Sequence, residues 1–62
     1  MTKQQQRQIE TIRKQVAAGN MSSAARQLSA MIRAHVRPVA DRAEMMRVAI
    51  ELNLHTHRDF CL

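Results

Sequence analysis

An all-α fold, a single small domain of three helices, is what the 62-residue sequence predicts, and three observations predict it. Apolar residues recur at spacings of three and four, which places them along one side of a helix with 3.6 residues per turn. Gly19 is the only glycine and Pro38 the only proline, and these two breakers cut the chain into three pieces of similar length. Apolar residues make up 45% of the chain with one Phe, no Trp and no Tyr, so the core is built from Ala, Met, Leu, Ile and Val. Most of these are good helix formers. The reading is one domain, residues 1–62, with helices near 3–18, 22–36 and 39–53 and a tail at 54–62.

The first helix opens with Thr2 and Gln5 at capping-box spacing. Ile9, Ile12 and Val16 follow at helical intervals with Gln, Arg and Lys between them, and Gly19 suits the left-handed position just beyond a helix end. For the second helix, Asn20 or Ser22 can act as N-cap. Its apolar stripe is the clearest in the chain: Met21, Ala24, Ala25, Leu28, Met31, Ile32, His35 and Val36. The small pair Ala24 and Ala25 lets a neighbouring backbone approach closely.

Pro38 disfavours helical geometry at Arg37, so the second helix should stop there. Asp41 with Glu44 offers a second capping box, unless Pro38 itself takes the first helical position. The third helix carries Val39, Ala43, Met46 and Ile50 on one face, widened by Met45, Val48, Ala49 and Leu52. Asn53 ends it, and Thr56 with Asp59 could start one further turn in the tail.

A chain of this length buries only about 60% of the surface it exposes when unfolded. With one cysteine it has no internal disulfide to compensate. Oligomerisation is the available remedy, so a helical homodimer is expected, its interface drawn from the second and third helices: Met21, Leu28, Met31, Ile32, Met46 and Ile50. The alternative is a marginal monomer that orders fully on meeting a partner.

Ten Lys and Arg against five acids give a net charge of +5. The excess lies before Pro38, where Glu10 is the sole acid. Such a field favours a polyanion or an acidic partner surface. Arg26, Arg33 and Arg37 follow one stripe of the second helix, and Lys3, Arg7 and Lys14 form a row on the first, so two basic ridges can track phosphates. Asn20, Ser22, Ser23, Arg26 and Gln27 stand where base-reading side chains of a recognition helix would be. Single-stranded RNA is disfavoured, since Phe60 is the only aromatic platform. Duplex RNA, bound by shape, is a third class without motif support. A solvated basic face on a protein-binding protein accounts for the same charges.

His55, His57 and Cys61 sit close in sequence, and on a helix His57 and Cys61 would share a face at zinc-ligand spacing. A closed site needs a fourth ligand from His35, Asp59 or a second subunit, so surface imidazoles and a partly buried thiol are the simpler reading, with no metal or cofactor expected. The chain has no Gly-rich phosphate loop, no nucleophile elbow and no carboxylate pair beside an evident cleft. Cys61 and His57 could pair as thiolate and imidazolium, but a penultimate residue is hard to enclose. A non-enzyme is expected. No apolar run approaches the roughly 18–20 residues of a membrane span, and the opening MTKQQQRQIE lacks a signal-peptide core, so a soluble, cytoplasmic protein is expected.

The segment Gly19-Asn20-Met21-Ser22-Ser23-Ala24-Ala25-Arg26-Gln27-Leu28, with Met31 following and Arg58-Asp59-Phe60-Cys61-Leu62 at the end, resembles the PerC-like transcriptional regulators. That family pairs a Gly-x-x-x-x-Ala-Ala-Arg segment with a terminal Arg-x-aromatic-Cys-Leu, and the AraC-negative-regulator family has a similar outline. The resemblance implies a small cytosolic regulator from enterobacterial or prophage DNA that adjusts transcription through promoter DNA or another regulator. Beside it stands a phage- or plasmid-encoded inhibitor or adaptor that docks on a host protein without touching nucleic acid.

Overall fold

Each helix boundary follows from local backbone chemistry. The computed structural model describes residues 1–34 and 39–62, in which α1 spans Lys3–Ala17, α2 Met21–Ala34 and α3 Val39–Glu51. At the start of α1 the capping box is complete. The Gln5 amide donates to Thr2 Oγ1 at 3.2 Å, and the Thr2 amide donates to Gln5 Oε1 at 2.9 Å. Two of the four amides that a helix start leaves unpaired are thereby satisfied.

The ends of α1 and α3 use the same device. Beyond α1, Gly19 takes φ +87°, its amide bonds the Val16 carbonyl at 3.0 Å, and the Asn20 amide bonds the Gln15 carbonyl at 2.8 Å. Beyond α3, Asn53 takes φ +58°, its amide bonds the Ile50 carbonyl at 3.0 Å, and the Leu54 amide bonds the Ala49 carbonyl at 2.8 Å. This is the paired closure of a Schellman motif, and it ends α3 at Glu51, ahead of the expected residue 53. Nothing lies within 4 Å of a Cβ placed on Gly19, so only backbone strain opposes a substitution there. Gly19→Ala is expected to cost about 1–2 kcal/mol, and Gly19→Asn less, as Asn53 tolerates the equivalent position; thermal melts of the two variants check the order.

Asn20 immediately precedes α2, and its carbonyl accepts the Ala24 amide at 3.1 Å, so the helix starts ahead of Ser22. The expected end of α2, with His35, Val36, Arg37 and Pro38, lies outside the described residues. The capping box expected from Asp41 and Glu44 does not form, because α3 already runs from Val39 and Asp41 stands in its first turn. There its carboxylate suits the positive end of the helix dipole and accepts the Met1 amino group at 3.2 Å.

The core lies where α2 packs against both α1 and α3. Ile9 and Ile12 come from α1, Ala24, Ala25, Leu28 and Ile32 from α2, Met45, Val48 and Ala49 from α3, and Leu54 from the tail. Ser29 is buried among them, its hydroxyl donating to the Arg26 carbonyl at 3.0 Å. Leu54, read in sequence as part of a tail, is wholly buried. After it the chain makes two successive turns, closed by the His57 amide on the Leu54 carbonyl and the Phe60 amide on the His57 carbonyl, and Phe60 packs onto the core. The radius of gyration is 10.5 Å, against about 10.6 Å expected for a folded chain of this length.

One correction concerns α3. Val39, Ala43, Met46 and Ile50 do not share a broad face with Met45, Val48, Ala49 and Leu52. At 3.6 residues per turn the two sets lie on roughly opposite sides. The second set faces α2, while Val39 is 73% and Ile50 56% exposed. Leu28 and Ile32 need a related correction as interface residues, because both are fully buried within the chain and present nothing to a second one.

Candidate partner-binding surfaces

The surface of α1 and α2 is assembled from residues that the two core stripes leave outside. On α1, Lys3, Arg7, Glu10 and Lys14 fall in one row opposite Ile9 and Ile12, all exposed, with Glu10 interrupting the positive charge. On α2, Arg26 and Arg33 are exposed two turns apart, and Arg37 lies outside the described residues. Arg7, Lys14 and Arg33 have no carboxylate partner among the described residues. Arg13 differs: it pairs with Glu51 at 3.2 Å and bridges α1 to the end of α3.

Between α1 and α2 runs a groove of about 590 Å³. Gln5, Gln8 and Gln27 rim it, Ala30 and Ala34 form its wall on α2, and Ile12, Met31 and Met45 lie at its base. Among the described residues no charged side chain lines it. The groove was not foreseen from sequence. A helical stripe shows which residues face inward, but the space left between two helices depends on their spacing and crossing angle.

A second polar cluster ties the tail to the start of α2. Ser22 Oγ donates to the Asp59 carboxylate, Arg26 Nη2 donates to Ser22 Oγ at 3.3 Å, and the Asp59 amide donates to His57 Nδ1 at 3.1 Å. The Ser22 hydroxyl bond, with the charges of Arg26, His57 and Arg58, holds the Asp59 carboxyl below its ordinary 3.8 despite partial burial. Arg26 is therefore occupied in part within the chain.

The lowered Asp59 value fixes a sign. A carboxyl with a depressed native value contributes stability that is complete above its unfolded value and lost as pH falls through the native one. The difference in melting temperature between wild type and Asp59→Asn is expected to be constant from neutrality down to about pH 5, and to close below 3.8. Melts across that pH range check it.

The other candidates are dispersed. Met21 and Met46 are half-buried against the core, Met31 is half-buried at the groove, and Ile50 is exposed on α3. His55 and Cys61 are exposed and His57 is half-buried; among the described residues no three metal-binding side chains are grouped to hold an ion. Cys61 Sγ lies 3.7 Å from the Arg58 carbonyl. No helix is long and apolar enough to cross a membrane among the described residues. No family model, curated protein or solved structure matches the chain.

Proposed function

We propose that this protein is a small cytoplasmic regulator that modulates transcription by binding, without catalysis, and that the α1–α2 face grips the acidic partner: promoter DNA or another regulator. The observation that carries the reading is the set of exposed cations without carboxylate partners, Arg7, Lys14 and Arg33, on two adjacent helices. Charges left in this way retain their attraction for phosphates, and counterions released from a nucleic acid supply the driving force. The resemblance of Gly19–Leu28 and Arg58–Leu62 to PerC-like regulators supports the same direction.

The groove favours a second reading. An apolar base with amide rims is chemistry for an amphipathic helix, which would make the chain an inhibitor or adaptor on a host protein. Fluorescence anisotropy with a mixed-sequence duplex at low salt separates the two. Binding that is lost in Arg7→Glu with Arg33→Glu supports the nucleic-acid reading. Absence of duplex binding, with a lysate protein retained by wild type and released by Ala30→Lys, assigns the protein-directed one. Ala30→Lys fills the groove and leaves the basic residues in place.

A further inference from the structure

We propose that the outer face of α3 is the contact between two copies of this chain, paired antiparallel about a two-fold axis passing near residues 44 and 45. Val39, Ala43, Met46 and Ile50 are spaced by four, three and four residues, the seam of two successive heptads. None of them belongs to the buried core, although Met46 packs against it, and Val39 and Ile50 at the two ends of the seam are 73% and 56% exposed. A hollow of about 320 Å³ between Val39, Arg42, Ala43 and Met46 leaves room for side chains from outside.

Charge identifies the occupant as a second copy. α1 carries four basic residues and one acid, and α2 two basic residues and no acid, whereas α3 carries two arginines against three acids. The one described helix with an outward apolar stripe is also the one without excess positive charge. Two molecules with a net charge of +5 therefore meet with least repulsion through α3, and a polyanion is drawn to the other helices.

Register identifies the orientation. Antiparallel pairing about the midpoint sets Val39 against Ile50 of the second copy and Ala43 against its Met46, so the same patch complements itself. In that arrangement Arg42 lies on the same side of the seam as Ala49 of the second copy, and Arg47 on the same side as its Ala40. A parallel pair would instead set Arg42 against Arg47 on both sides of the seam. The helix dipoles also oppose each other only in the antiparallel pair. Even with the stems of Arg42 and Arg47, a seam of four apolar residues is small against the ~1,000 Å² at which specific interfaces begin. The dimer is consequently weak and exchanges with monomer.

The proposal stands apart from the nucleic-acid reading, since neither Val39 nor Ile50 belongs to the basic face. Sedimentation of the full chain, carrying Cys61→Ser to remove the exposed thiol, tests it over roughly ten micromolar to one millimolar. A monomer–dimer equilibrium is expected, with Ile50→Glu raising the dissociation constant by at least about tenfold while the melting of the dilute monomer stays unchanged. In the same background, Val39→Cys mixed with Ile50→Cys should cross-link as a heterodimer under mild oxidation, and neither alone should cross-link. A monomer throughout that range, a dimer indifferent to Ile50→Glu, or self-cross-linking of Val39→Cys would each overturn the assignment.

Discussion

Replacing Leu28 with alanine is expected to abolish the cooperative unfolding transition at room temperature. Leu28 is fully buried on α2, the helix that packs against both others, and it belongs to the one core formed among the described residues. Removing such a side chain costs about 2–5 kcal/mol, part in lost transfer free energy and part in the cavity that remains. A single core in a domain this small rarely supplies more than about 3–5 kcal/mol in total. The two figures overlap, so loss of the native state is expected and not a mere reduction in melting temperature. Ile50→Ala is the control: it also shortens an aliphatic side chain, but one that is 56% exposed, and the dilute monomer should melt almost as wild type does. Circular dichroism melts of the two variants check the contrast, and a cooperative transition in Leu28→Ala near the wild-type temperature would contradict the placement of the core.

The second large effect is the response of duplex binding to salt. If Arg7, Lys14 and Arg33 each neutralise one phosphate, the logarithm of the binding constant should fall against the logarithm of salt concentration with a slope of about −2.7 per protomer. Raising salt from about 50 to about 200 mM then weakens binding roughly 40-fold. Arg33→Ala should flatten the slope by about 0.9 and weaken binding to all sequences alike, since a phosphate contact carries no base information. Arg26→Ala should change the slope less, because its guanidinium already bonds Ser22 beside Asp59. Anisotropy titrations at four salt concentrations measure all three slopes. Binding insensitive to salt would remove these cations from the contact and leave the groove as the docking surface.

Much of the fold was legible because short-range chemistry wrote it. Thr2 and Gln5 satisfy each other's amides whatever surrounds them, and Gly19 enters the left-handed region because it has no Cβ to clash. The stripe on α2 reads correctly from Met21 to Ile32, with every residue predicted to face inward buried or half-buried. The basic residues were legible in the same way, as a charged row opposite an apolar stripe has nowhere to lie except the surface. The misplaced signals were those with two local solutions. Asp41 spaced from Glu44 looks like a cap, but a helix that begins two residues earlier turns it into a first-turn carboxylate that receives the Met1 amino group. Leu54 follows a helix-ending Asn, so periodicity gave no reason to bury it, although the Schellman closure points it back at the core. Ser22 and Asp59 are 37 residues apart, and no local pattern announces their bond.

The sequence by itself determined that there are three helices, where the first ends, which side of α2 faces inward and which residues carry the excess charge. All of these depend on interactions within a few residues or on a single amphipathic stripe. Only the tertiary structure decided which face of α3 packs inward, that α1 and α2 leave an apolar groove between them, and that the tail is latched to α2 through Asp59. α3 is apolar on two sides, so periodicity ranks Met45, Val48 and Ala49 no higher than Val39, Met46 and Ile50. The choice falls to whichever set α2 can cover while the chain, turning at Asn53, also buries Leu54.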